Sequence, residues 1–87
     1  MAGRRARARP PIEQVFGSVL RTLREERGLS QEQLGNEAGS GRTYISQLER
    51  GEKGPSLKTV FRLAPHLGVP PSEIVRLVES EIGPAGP

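Results

Sequence analysis

Residues 30–51, SQEQLGNEAGSGRTYISQLERG, have the pattern of two short helices joined by a tight turn. Ser30 is a favoured N-cap residue, and Gln33 three positions later completes a capping box. Glycines at both ends of the turn at residues 39–41 permit positive φ angles and a steep crossing of the helices. The stretch therefore predicts a helix-turn-helix. Its first helix spans Gln31 to Ala38, with Leu34 and Ala38 facing inward, and its second spans Arg42 to Arg50.

The second of these helices has one apolar side and several polar ones. Ile45 and Leu48, three positions apart, anchor it to a core. Arg42 can bond guanine O6 and N7 in a fork, Gln47 can do the same with adenine N6 and N7, and the Thr43 methyl can meet thymine. A solvated polar face is the alternative, but the glycine-rich turn and the preceding helix favour a base-reading surface. Ser46 and Arg50 also project from the polar sides.

Phosphate contacts are expected around this surface. The first helix of the helix-turn-helix begins at Ser30 and Gln31, and its N-terminus presents free N–H groups of the kind that bind phosphate. Arg50 and Lys53 follow the reading helix and can hold the opposite phosphates, although Lys53 is nearly as well explained as a solvated loop charge. Four arginines and no acid lie in residues 1–11, and the rest of the chain has a net charge of −1. This arm, with Arg4, Arg5, Arg7 and Arg9, is expected to be disordered and to contact a polyanion or to aid solubility.

The remaining segments predict three more helices. Helix 1 runs from Ile12 to Arg27 and ends at Gly28. A fourth helix begins after the N-cap Ser56, and Pro65 is expected to kink it or end it early. A fifth spans Ser72 to Ile82, and residues 83–87 form a flexible tail. The buried stripe of the fourth helix is predicted to contain Leu57, Val60, Phe61 and Ala64.

These patterns predict a single all-α domain over residues 12–82, since no alternating strand pattern occurs. The chain has 87 residues, a net charge of +3 and no Cys, which excludes disulfides and thiolate metal sites. No apolar run is long enough to span a membrane. Gly17 inside helix 1 has no explanation from the sequence. Arg24 and Glu49, each beside an inward-facing Leu, are predicted to form an ion pair, the alternative being two independent surface charges.

The run from Phe16 to Val78 resembles the lambda-repressor-like helix-turn-helix family of bacterial and phage regulators. The motifs LREERGLSQEQL, YISQLERG and PSLKTVFRLA carry the resemblance, and the arrangement RTYIS…ERG is similar to controller proteins of restriction–modification systems. The resemblance implies a compact five-helix domain whose third helix enters the major groove of double-stranded DNA. It also implies a two-fold dimer on a pseudo-palindrome with half-sites about one helical turn apart.

The resemblance also assigns residues. It places Arg42, Thr43, Tyr44, Ser46 and Gln47 at the DNA, Gln31 at a phosphate, and Arg24 with Glu49 in an internal ion pair. It gives the dimer contact to the last helix, with Ile74, Val75, Leu77, Val78 and Ile82. Three positions depart from the family pattern: Ser40 replaces a buried aliphatic residue, Gly41 a capping residue, and Pro65 a polar, helix-favouring one.

The leading hypothesis is a homodimeric, sequence-specific transcriptional regulator, either a repressor or a controller, in the cytoplasm at the nucleoid. An antitoxin of a toxin–antitoxin pair and a protein-interaction adaptor are the alternatives, so a protein partner stays open. An enzyme is not expected, because the chain has neither Cys nor Asp and a single His, His66. No cofactor, metal or small-molecule ligand is predicted.

Overall fold

The computed structural model describes residues 10–83, which form five α-helices and no strand. The all-α prediction is thus confirmed for this part of the chain. No helix there is long and apolar enough to cross a membrane. Helix bounds agree with the sequence-based ones to about one residue, except in α4. The helices are α1 (Ile12–Glu26), α2 (Gln31–Ala38), α3 (Arg42–Glu49), α4 (Leu57–Leu67) and α5 (Pro71–Ile82).

The core lies where all five helices meet. Leu34 of α2 and both predicted anchors of α3, Ile45 and Leu48, have no exposed surface. Each fully buried leucine or isoleucine contributes about 1.5–3 kcal/mol, so these three side chains hold the helix-turn-helix to the rest of the domain. The largest fully buried side chains are Leu20, Leu34, Ile45, Leu48, Leu63 and Ile74.

The starts of α2 and α4 show the caps expected from their sequences. The Ser30 Oγ accepts a hydrogen bond from the Gln33 backbone N–H at 3.0 Å, and the Gln33 side chain accepts one from the Ser30 N–H at 2.8 Å. The Ser56 Oγ accepts from the Thr59 N–H at 3.0 Å. Each cap satisfies N–H groups that a helix start leaves unpaired, typically for about 1 kcal/mol.

α4 does not end early at Pro65, and part of its predicted buried stripe was wrong. The helix continues through Pro65 to Leu67, because Leu67 is buried and Gly68 closes the helix in a left-handed conformation. Pro65 lies in the last turn, where the loss of one hydrogen bond affects little of the helix that follows. The buried stripe is also rotated: Leu57 and Phe61 are 69% and 56% exposed. The residues that α4 buries are Thr59, Val60, Leu63, Ala64 and Leu67.

Gly17 lies where α1 crosses the end of α3. A Cβ atom at this position would stand 2.4 Å from the Leu48 carbonyl oxygen and 2.6 Å from that of Glu49. Ordinary carbon–oxygen contacts are about 3.3 Å or longer. Glycine therefore allows α1 and α3 to pack backbone against backbone, which explains its presence within a helix.

Candidate nucleic-acid interface

The turn between α2 and α3 is held by backbone contacts. The Gly35 carbonyl accepts hydrogen bonds from the Ser40 N–H at 2.9 Å and the Gly41 N–H at 3.1 Å. A Cβ on Gly35 would stand 2.5 Å from the carbonyl carbon of Gly41. Gly39 and Gly41 adopt φ angles of 72° and 81°, which residues other than glycine rarely adopt. The start of α3 is thereby fixed against α2 without a side-chain cap.

Ser40 is the weak point of this turn. Its Oγ is buried and has no hydrogen-bond partner among the described residues. A buried hydroxyl without a partner costs about 1–3 kcal/mol in proteins. Ser40, which replaces a buried aliphatic residue of the family pattern, therefore lowers the stability of the turn locally, although the backbone hydrogen bond that Ser40 donates to Gly35 is intact.

Arg24 and Glu49 form a nearly buried ion pair that links α1 to α3. The Arg24 Nε and Nη2 donate to the two Glu49 carboxylate oxygens at 2.5 Å and 3.0 Å. The side chains are only 10% and 3% exposed. The hydrogen bond to Glu49 raises the pKa of Arg24 above its ordinary value, against the opposing effect of burial. Arg24 Nη1 also donates to the Leu29 carbonyl at 2.7 Å, so the pair braces the α1–α2 connection as well.

Gln31 belongs to the same network. Its Nε2 donates to Glu49 Oε1 at 3.0 Å, so the side chain predicted at a phosphate is bonded inside the protein at one N–H. A phosphate at this helix end would meet the other N–H of the amide and the backbone N–H groups near Ser30. The network ties the end of α3 to the start of α2, which sets the angle at which α3 is presented.

The outward side of α3 gathers several of the predicted base-reading residues. Arg42 and Thr43 are exposed, and Ser46 and Gln47 are partly exposed. Arg42, Thr43, Ser46 and Arg50 line one shallow depression along the helix. This arrangement presents a guanidinium group at each end and two hydroxyl groups between them, which are groups of the kind that can contact bases and phosphates.

Tyr44 does not join this surface in the same way. It is half-buried, packs against the core, and its hydroxyl lies 3.3 Å from Thr59 Oγ1 on α4. Its position two residues after the exposed Arg42 turns it toward α4. The structure thus shows Tyr44 as a contact between helices, beside the residues predicted to read bases.

Arg50 and Lys53 lie at the end of α3 and in the loop after it, and both are exposed. Arg50 donates from Nε to Glu52 Oε2 at 2.7 Å, from Nη2 to Glu52 Oε1 at 3.1 Å, and from Nη1 to Ser46 Oγ. The hydrogen bond from Arg50 lowers the pKa of Glu52 below its ordinary value. The role of Glu52 was not predicted from the sequence, although an acid two residues after a predicted phosphate ligand is a signal that could have identified it.

The five predicted dimer residues of α5 differ in how much of each side chain is exposed. Ile74 and Val78 are 1% and 8% exposed because they fill the core of the monomer, so a partner could contact them only marginally. Leu77 and Ile82 are partly buried against the core. Val75 is 52% exposed and lines an apolar groove with Ile12 of α1. The assignment of these five residues to a dimer contact stays a prediction, although the monomer itself already buries Ile74 and Val78.

The exposed apolar residues that sequence reasoning missed lie mainly on α1 and α4. Ile12 is 56% exposed, and Leu57 and Phe61 are i, i+4 neighbours on the solvent side of α4. The groove that contains Ile12 and Val75 runs between α1, α5 and the α3–α4 loop, with Pro55 at its edge. The described residues therefore contain an apolar surface that the monomer leaves open.

Two further predictions concern other parts of the chain. Arg4, Arg5, Arg7 and Arg9 lie outside the described residues. His66 lies at the end of α4 with its Nδ1 3.5 Å from Glu37 Oε1 of α2. Within residues 10–83, no group of three or more His, Cys, Asp or Glu side chains is arranged to hold a metal ion.

The fold and this surface define a helix-turn-helix protein whose second motif helix is exposed on one side. The helix-turn-helix family model matches residues 20–74, and the chain belongs to that family. The transcriptional repressor RstR of the cryptic phage CTXphi in Vibrio cholerae is 41% identical over 68 residues. The match covers 78% of this chain and 61% of that repressor. Control protein C.BamHI of Bacillus amyloliquefaciens is 37% identical over 65 residues, covering 74% of this chain and 80% of that protein.

A solved structure shows the same architecture. The restriction–modification controller protein C.AhdI from Aeromonas hydrophila has a TM-score of 0.68 and 40% sequence identity, covering 71% of this chain and 94% of that one. The lambda-repressor-like fold predicted from the sequence is thus confirmed, as is the likeness to controller proteins. Of these three relatives, one is named a transcriptional repressor and two are named control or controller proteins.

Proposed function

We propose that this protein is a sequence-specific transcriptional regulator that binds a pseudo-palindromic operator as a homodimer. The observation that carries the proposal is the way α3 is held. Its inner side is fixed by Ile45, Leu48 and the Arg24–Glu49 pair, while Arg42 and Thr43 remain exposed on the outer side. A rigid helix with free polar groups can present them in register to base edges in a groove about 12 Å wide.

Within this proposal, Arg42, Thr43, Ser46 and Gln47 read bases. The N-terminus of α2 at Ser30 and Gln31, together with Arg50 and Lys53, contacts phosphates. Tyr44 supports the reading surface through its contact with Thr59. The arginines of the N-terminal arm are proposed to add phosphate contacts, and their sequence-independent charge would increase the salt dependence of binding.

The base-reading assignment is tested by Arg42→Ala. A bidentate arginine–guanine contact is worth about 1–3 kcal/mol of discrimination, so affinity should fall about 5- to 150-fold for a duplex selected from random DNA and much less for a scrambled duplex. Arg76→Ala, which removes the same charge from α5, is the matched control and should leave both affinities nearly unchanged. Equal losses of affinity for the selected and scrambled duplexes would assign Arg42 to phosphate.

The same selection experiment tests the dimer. A recovered palindrome with half-sites about one helical turn apart supports a two-fold dimer, whereas a single asymmetric half-site contradicts it. The exposed apolar residues Ile12, Leu57, Phe61 and Val75 are the proposed contact. Val75→Glu should shift the protein toward monomer in analytical ultracentrifugation. Ser80→Glu, which adds the same charge at an exposed position of α5, should not.

A further inference from the structure

The guanidinium of Arg50 is already occupied in the free protein. Its Nε and Nη2 form a fork on the two Glu52 oxygens at 2.7 Å and 3.1 Å, and its Nη1 donates to Ser46 Oγ. The Nε–Nη2 edge is one of the edges that gives arginine its bidentate contacts with carboxylates and phosphates. A DNA phosphate approaching this edge would therefore compete with Glu52 for the same two donors.

The three residues are placed so that the competition affects the reading surface. Ser46 lies one helical turn before Arg50 and lines the depression that also contains Arg42 and Thr43. While Arg50 is bonded to Glu52, one lone pair of the Ser46 hydroxyl is occupied by Arg50. When Arg50 turns to a phosphate, that lone pair becomes free to accept from a base edge.

We propose that Glu52 restrains DNA affinity by holding Arg50 in an internal fork that must open on DNA binding. This inference rests on the proposed DNA-binding function and assigns a role to a residue that does not itself contact DNA favourably. The Arg50 and Glu52 side chains are 57% and 51% exposed, so the pair is solvated and can open. Exposed ion pairs contribute little, at most a roughly fivefold change in an equilibrium constant.

The net charge of the Arg50–Glu52 pair gives a second measurable consequence, in the salt dependence of DNA binding. With Glu52 present, the Arg50 site has no net charge and displaces few of the cations that surround DNA. Without the carboxylate, Arg50 acts as a full positive charge. The slope of log K against log salt should then become steeper by up to about 0.9, the value for one phosphate contact on duplex DNA.

The test uses Glu52→Gln, which keeps the shape of the side chain and one acceptor oxygen but removes the charge. Binding is measured with the wild-type-selected duplex and with a scrambled duplex of the same length, across a salt series. We expect affinity for both duplexes to rise between about twofold and fivefold per protomer, with a steeper salt slope.

Glu73→Gln is the matched control. Glu73 accepts a fork from the Nε and Nη2 of Arg76 at 2.9 Å and 2.7 Å, the same geometry as at Glu52, but on α5. Glu73→Gln changes the net charge of the protein by the same amount as Glu52→Gln. It should leave the DNA affinity and the slope of log K against log salt nearly unchanged. In an Arg50→Ala background, Glu52→Gln should then have no larger effect than Glu73→Gln.

Several outcomes would overturn the inference. If Glu52→Gln binds DNA no more tightly than Glu73→Gln does, or if its effect survives unchanged in the Arg50→Ala background, Glu52 does not act by holding Arg50. Reduced affinity would make Glu52 a favourable contact. Failure of the wild-type protein to bind any duplex would instead refute the proposed function, so the two failures are distinguishable.

Discussion

Gly17→Ala separates two opposite expectations for the stability of this domain. Helix propensity alone predicts stabilisation by about 1 kcal/mol, since alanine is the better residue within a helix. The packing predicts the reverse. A Cβ at residue 17 would lie 2.4 Å and 2.6 Å from the carbonyl oxygens of Leu48 and Glu49. Reaching ordinary contact at about 3.3 Å requires α1 and α3 to separate by roughly 1 Å.

The backbone at the end of α3 has little room to move. Glu49 is tied through its side chain to Arg24 on α1 and to Gln31 on α2. Overpacking of a rigid core costs about 1–3 kcal/mol, and a clash with backbone atoms belongs at the upper end. After subtracting about 1 kcal/mol for propensity, we expect Gly17→Ala to lower the free energy of unfolding by about 2 kcal/mol. For a domain of this size the melting temperature falls by roughly 8–16 °C.

Thermal and urea unfolding followed by far-UV circular dichroism measure this effect, with protein concentration held constant because dimerisation would add stability. Ser18→Ala is the control, since Ser18 is the next residue of α1 and is exposed. It should raise stability by a few tenths of a kcal/mol at most, as expected from propensity. If Gly17→Ala stabilised the protein as much as or more than Ser18→Ala, the close approach of α1 and α3 would be wrong.

Two further substitutions test the support of α3. Ser40→Ala removes the buried hydroxyl that has no partner among the described residues and should raise the free energy of unfolding by about 1 kcal/mol. A loss of stability in urea unfolding would show that this hydroxyl is bonded. Glu49→Gln leaves the nearly buried Arg24 without its counter-charge, and should lower the free energy of unfolding by about 3 kcal/mol. A double-mutant cycle with Arg24→Met that gives no coupling energy would refute the ion pair as a brace.

Local sequence patterns predicted most of the fold because they act within one helix. The capping box at Ser30 and Gln33 depends on residues three positions apart, and it forms as expected. The inward positions Leu34, Ile45 and Leu48 follow from helical periodicity and are fully buried. Arg24 and Glu49 were paired from their neighbours and from the family resemblance, and they do form an ion pair.

Predictions that depended on the neighbours of a helix were less successful. In α4, periodicity alone could not decide which of two adjacent apolar rows faces the core, and Leu57 and Phe61 are exposed. In α5, the apolar residues exceeded one face, but the structure uses Ile74 and Val78 to fill the monomer. Pro65 breaks only a local bond, and the burial of Leu67 with the cap at Gly68 carries the helix past it.

The sequence by itself determined that residues 30–51 form a helix-turn-helix with polar groups on the outer side of its second helix. Only the tertiary structure decided why Gly17 is a glycine and that Tyr44 faces Thr59. The physical reason is the separation along the chain of the residues that interact. Caps and helical faces are set by residues within four positions, whereas close approaches of two backbones and side-chain contacts between helices depend on how separate elements pack.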